Sequence, residues 1–235
     1  MSSKDSLPEQ RRRSEVDAFL EALERTPVRA EPQSGRGRLL FAIDATASRQ
    51  PTWDQAAHVQ AQMFEETARL GTLDVQLLYF RGYGEFYASP WATDPRSLLE
   101  VMTTVRCRSG LTQIERVLRH ALETHRQSPV SALVYVGDCV EEEPELLFEL
   151  AGLLGLHGLP VFMFHEGADP LAGEVFRKIA SLSGGAYAPF DQRSAAQLGE
   201  LLSAVAVYAV GGVPALEHRA EHSASARHLL TQLRR

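Results

Sequence analysis

The stretch Leu39-Leu40-Phe41-Ala42-Ile43-Asp44-Ala45-Thr46-Ala47-Ser48 sets the pattern for most of the chain. Five consecutive apolar residues ended by a carboxylate describe a strand covered on both faces, because a strand with one wet face would alternate. Asp44, Thr46 and Ser48 then stand at alternate positions as the chain leaves the strand. That spacing can turn one carboxylate and two hydroxyls toward a common point.

Beyond this stretch, strand and helix patterns alternate. Helical spacing over 53–70 is followed by an apolar strand at 73–80, a glycine-containing turn at 81–85 and a short strand around Phe86 and Tyr87. Helices follow near 95–104 and 113–124, with a loop at 107–111 between them. The second half repeats the rhythm, with strands at 132–136, 161–164 and 186–190 and helices at 144–154, 171–182 and 195–209. Alternation of this kind predicts parallel strands joined by right-handed helical crossovers. The expected fold is therefore a three-layer α/β/α, doubly wound, mostly parallel Rossmann-like sheet with the strand near Phe86 as an antiparallel edge. Gly211, Gly212 and Pro214 are expected to end the last helix, leaving a tail over 212–235 in which Leu229, Leu230 and Leu233 could form a short helix. At the other end, Val16, Phe19, Leu20 and Leu23 make one apolar helical stripe, and the polar stretch 26–37 reads as a linker. The expected division is an N-terminal helix and linker at 1–37, a main domain at 38–211 and a C-terminal tail at 212–235. The N-terminal helix either folds back on the main domain or docks on a partner.

Composition narrows the functional classes. The chain has 235 residues, 44% hydrophobic and 23% charged, enough apolar side chain for one large core. A net charge of −6 gives no broad cationic footprint, so no nucleic-acid role is expected, and Arg11-Arg12-Arg13 reads as a solvated surface run. No uninterrupted apolar run approaches the roughly 18 residues that cross a bilayer, so no membrane role is expected and a cytoplasmic location is. The two cysteines, Cys107 and Cys139, are too few for a disulfide framework. They read as free thiols, or as a pair brought together beside the site described next.

In open α/β sheets, ligand groups collect outside the carboxyl ends of the strands. Three loops qualify: the one carrying Asp44, Thr46 and Ser48, the one carrying Ser109-Gly110-Leu111-Thr112, and the exit of the fourth main strand at Gly137-Asp138. A set of two carboxylates and several hydroxyls suits a hard cation such as Mg²⁺, which prefers octahedral oxygen ligands at about 2.0–2.1 Å and retains water. Neutral hydroxyls leave such an ion electrophilic enough to take one more anionic oxygen from a partner's Asp or Glu.

This ordered set resembles the von Willebrand factor A (VWA) family over residues 38–211, in the style of an intracellular bacterial member. The family's metal-ion-dependent adhesion site (MIDAS) has an Asp-x-Ser-x-Ser motif after the first strand, a Thr on a glycine-containing loop and an Asp ending the fourth main strand. Here Asp44, Thr46, Ser48, Thr112 and Asp138 occupy those positions. The resemblance implies that Thr46, Ser48 and Thr112 ligate directly or nearly so, and that Asp44 and Asp138 act largely through bound water. It also implies Mg²⁺, with Mn²⁺ or Ca²⁺ as alternatives, and a role in a multiprotein assembly, including those built around AAA+ ATPases or chaperones. Thr46 departs from the usual Ser, and the single Gly110 replaces a frequent glycine pair.

Other readings stand beside this one. Asp44 and Thr112 could be helix caps, and the run Glu141-Glu142-Glu143 could be a solvated turn complementing a helix dipole or could tune the site against anionic partners. His218 and His222 are four apart, yet no Glu is placed for a zinc motif, so they are expected to be exposed. Asp191 and Arg193 read as turn residues at the same edge. Trp53 is expected to pack at a helix start, and Arg81, Gly82, Tyr83 and Gly84 to offer a contact surface. A haloacid-dehalogenase-like phosphoryl-transfer enzyme would use Asp44 as nucleophile, but Thr46 stands where its second Asp is needed. A structural subunit without a working cation is the third class. The expected function is a cation-dependent protein-interaction module with no catalytic role.

Overall fold

A computed structural model of the chain describes residues 36–190 and 195–233. The amphipathic stripe at Val16 to Leu23 and the turn residues Asp191 and Arg193 lie outside the described residues. Six strands form one sheet: β1 (Arg36–Asp44), β2 (Thr72–Arg81), β3 (Glu85–Ala92), β4 (Ala132–Gly137), β5 (Val161–Glu166) and β6 (Tyr187–Phe190). Their order is β3-β2-β1-β4-β5-β6, with β2/β3 antiparallel and every other pairing parallel. This is the expected three-layer sheet with one antiparallel edge strand.

The apolar run in β1 splits between two cores. Leu39, Phe41 and Ile43 face one, Leu40 and Ala42 the other, and all five are fully buried. The first core is closed by α1 (Gln50–Thr67), α2 (Pro95–Thr104), α6 (Ala195–Ala220) and α7 (Ala224–Leu233), which bring Trp53, Met63, Leu98, Leu202, Val205 and Leu229. The second is closed by α3 (Ile114–Gln127), α4 (Pro144–Leu156) and α5 (Pro170–Ser183), which bring Val117, Leu118, Leu147, Phe176 and Ile179. Each such side chain contributes about 1.5–3 kcal/mol on leaving water. Local signals set the helix ends. Pro95, Pro144 and Pro170 take first-turn positions where the missing N–H costs nothing, Asp94 and Asp169 cap their helices, and Gly184 ends α5 in the left-handed region at φ 72°.

Several elements differ from expectation. α1 starts at Gln50, because Pro51 and the short 3-10 turn Ala47–Arg49 open it ahead of Trp53. β3 runs to Ala92, with a bulge at which the Ser89 hydroxyl accepts from Leu77 N at 3.0 Å in place of a ladder carbonyl. The helix breaks at Gly212 (φ 65°) as expected, but a second helical stretch follows within α6 to Ala220 because Leu216 and Ala220 bury in the first core. An Arg219–Glu66 ion pair ties that resumed segment to α1. Beyond it, α7 packs Ala226, Leu229 and Leu230 on the same core, and the Gln232 amide bonds both Tyr187 N and Tyr187 O at 2.8 Å. That amide covers the outer backbone of β6, an otherwise open sheet edge. In α6 an 18-residue window has mean hydropathy 1.5, enough by length and composition for a membrane span, which a search for uninterrupted apolar runs passes over. In the fold, 67% of that window is buried, as befits a core helix.

Candidate functional site

β1 leads across to β2 and β4 leads away to β5, so the connections diverge between two adjacent strands. The crevice outside their carboxyl ends is the switch point at which open sheets of this kind hold ligands. Ile43 pairs with Val136, so Asp44 and Asp138 leave neighbouring strands within one residue of the same level. One ligand atom each of Asp44, Asp138 and Cys139 lies within 4.8 Å of the others.

Asp44 is fully buried. Its Oδ1 accepts from Thr46 N at 2.7 Å, a local turn that bends the chain into the 3-10 segment. Its Oδ2 is buried with no hydrogen-bond partner among the described residues, as is Asp138 Oδ1. Burial pushes the Asp44 carboxyl up to about 6; the Thr46 N–H, the Arg49 charge and the Thr46 hydroxyl oppose the rise, and Asp138 adds to it. Burial, with the charges of Asp138 and Asp44 close by, pushes the Cys139 thiol up to about 12. Burial and Asp44 push Cys107 up to about 11, so both thiols lie within the field of Asp44. Unpartnered buried carboxylate oxygens cost free energy that a bound cation recovers, and the two carboxylates lie close enough to share one, so the donor set fits a divalent ion.

The other expected ligands are placed less uniformly. Thr46 is half-buried and directs its N–H to Asp44. Ser48 lies within the 3-10 turn, and its side chain is outside the described part of the structure. The hydroxyl of Thr112 is engaged elsewhere. It donates to Glu142 Oε2 and accepts from Glu141 N at 3.0 Å, while Thr112 N donates to Glu141 Oε2 at 2.8 Å. Glu142 Oε1 also accepts from Glu115 N at 3.2 Å. The acidic run therefore complements a helix dipole, that of α3 rather than of the helix it precedes. Asp44 and Asp138 are thus brought together, while Thr112 is clamped by the loop that leaves Asp138.

Two residues missed in the sequence shape the site from within. Arg49 is fully buried and ion-paired to Glu166 at the end of β5, whose Oε2 also accepts from Thr52 Oγ1 at 2.6 Å. The signal was an arginine directly after the Asp44 loop and a glutamate at a strand's carboxyl end, both easily taken for surface charges. Gly110 owes its identity to a close approach: a Cβ there would stand 2.0 Å from Gly82 O, which accepts from Leu111 N at 3.2 Å. This contact brings the hairpin tip between β2 and β3 against the Thr112 loop, with Tyr83 85% exposed and Leu111 49% exposed. Arg81 is engaged by Glu85 at 2.8 Å and by Arg106 O at 2.9 Å. Trp53 packs as expected, donating Nε1 to Met102 O at 3.0 Å. His218 and His222, past the α6 kink, are both exposed, as expected.

No protein-family model matches the chain, and no curated protein sequence matches it significantly. Solved structures do. The VWA domain of SpRpn10 superposes with a TM-score of 0.53 at 13% identity, over 75% of this chain and 97% of that one. The fold is that of a VWA domain. The vWF domain of Mfa5, a type V pilus tip protein from Porphyromonas gingivalis, matches this VWA-like domain with a TM-score of 0.56 at 8% identity, over 74% of this chain and 94% of that one. An aerotolerance-related membrane protein from Bacteroides fragilis NCTC 9343 matches at 0.55 with 16% identity, over 71% and 96%. At such identities the VWA likeness establishes the architecture, and the chemistry at the switch point rests on this chain's own residues.

Proposed function

We propose that this VWA-like domain is a protein-interaction module that holds a divalent cation, Mg²⁺ by preference among hard ions, at Asp44 and Asp138 and uses it to bind a partner's carboxylate. The observation that carries this reading is that Asp44 and Asp138 bring ligand oxygens within 4.8 Å of one another at the switch point, while each carboxylate keeps one buried oxygen, Asp44 Oδ2 and Asp138 Oδ1, without a hydrogen-bond partner among the described residues. A cation there would satisfy both, and two carboxylates roughly balance its charge. Thr46 stands beside Asp44 to add a hydroxyl, and Ser48 follows it in the motif. Thr112 would join by exchanging Glu142 for the ion, which makes the acidic loop a competitor that the cation displaces. The exposed Tyr83 and Leu111 flank this edge and supply apolar contact for a partner whose Asp or Glu fills the remaining coordination position. Free thiols at Cys107 and Cys139 accord with a cytoplasmic setting, and a multiprotein assembly, including one organised by an AAA+ ATPase or chaperone, is the context proposed. No catalytic role is assigned to any residue.

The test is retention of a partner. Immobilised chain is expected to hold a cellular protein in Mg²⁺, release it on chelation, and fail to hold it as Asp44→Ala. Retention indifferent to both the chelator and the substitution would overturn the reading.

A further inference from the structure

Cys139 follows Asp138 directly and adds to the two carboxylates a thiol, a donor that softer divalent ions use and hard cations do not. Donors sharing one ion stand about 3–4.5 Å apart when each bond is about 2.0–2.3 Å. The three atoms here lie within 4.8 Å of one another, so small side-chain rotations bring them to one centre. Asp44 is fully buried, and its Oδ2 has no partner among the described residues, which points independently to a cation as its partner. Thr112, the residue expected to complete an oxygen set, is instead held by Glu141 and Glu142. The residue nearest to replacing it in the cluster is a sulfur.

We propose that Cys139 is a ligand of the cation held by Asp44 and Asp138, and that it shifts the site's preference from Mg²⁺ toward a thiophilic divalent ion of the Zn²⁺ or Co²⁺ class. This rests on the cation site of the proposed function and adds its selectivity. Two oxygens and one thiolate leave a fourth tetrahedral position, open to water or to a partner's carboxylate. On binding, the metal–sulfur bond forms as the S–H bond breaks, and the thiol proton passes to buffer, with no change of oxidation state. Two carboxylates and one thiolate carry three negative charges, so the loaded site retains a net charge of about −1.

Co²⁺ titration of the intact, reduced chain gives the readout. A thiolate-to-Co²⁺ charge-transfer band in the near ultraviolet is expected to grow to one equivalent, to vanish in Cys139→Ser and to persist in Cys107→Ser. Competition is expected to show Zn²⁺ bound at least about tenfold more tightly than Mg²⁺, with heat varying with buffer as the proton is released. Co²⁺ binding without the band, or a band surviving in Cys139→Ser, overturns the inference, as does a failure of the parent to bind Co²⁺. A parallel Mg²⁺ titration of the parent separates the two levels. Mg²⁺ bound without a sulfur band leaves the proposed function standing and removes only the role of Cys139. No binding of either ion removes both.

Discussion

Asp44 is a carboxyl with no exposed surface whose ordinary value of 3.8 is raised by burial to about 6. A raised value means that the native state favours the protonated form. The contribution to stability is full below 3.8 and is lost as pH climbs through about 6. With divalent ions chelated, Asp44→Asn is therefore expected to raise the melting temperature at pH 8, by about 1–3 kcal/mol of stability, and to change little at pH 4. A lower melting temperature at pH 8 would contradict this. Arg49 and Glu166 pose the opposite case, two buried charges of opposite sign paired with each other. Arg49→Met alone is expected to cost about 3–5 kcal/mol in denaturant melts, whereas Arg49→Met combined with Glu166→Leu recovers most of it. Equal losses in the single and double variants would show that the pair is not coupled. Asp44 and Asp138 were legible because each directly follows an apolar strand. Arg49 and Glu166 were not, since nothing local distinguishes a charge that turns inward to meet a partner over a hundred residues away.

At the scale of elements, period and punctuation carried most of the information. The two-residue alternation hidden inside Leu39 to Ile43 distributes side chains to two cores, and Pro at the first turn of four helices fixes their starts. Gly211, Gly212 and Pro214 do break the helix, since Gly212 leaves helical geometry at φ 65°; what they did not reveal is the second helical stretch to Ala220, held by burial of Leu216 and Ala220. The clamp of Glu141 and Glu142 on the start of α3 was equally hidden, since a helix end can be capped from a loop distant in sequence. Glycines make the distinction between local and tertiary causes measurable. Gly110→Ala places a methyl 2.0 Å from Gly82 O, so the hairpin tip and Thr112 loop must part, with an expected loss of about 1–3 kcal/mol and weaker cation binding. Gly152→Ala, inside α4 with nothing within 4 Å of the added Cβ, is expected to stabilise by about 0.5–1 kcal/mol. Chemical denaturation of both variants checks the pair, and a neutral Gly110→Ala would mean the contact with Gly82 is dispensable.

For the molecule as a whole, the layered sheet was readable from alternation alone, and the switch point followed from the order of the strands. What the fold does with that position depends on chemistry that architecture leaves open: two orphaned oxygens, a neighbouring thiol and a threonine held back by an acidic loop. Calorimetric titration of Mg²⁺ and Mn²⁺ into the reduced parent and into Asp44→Ala tests the central claim most directly. One saturable site in the parent, lost in a variant that still melts cooperatively, is the expected result. Equal affinity in the two chains, or no binding by the parent, would contradict it.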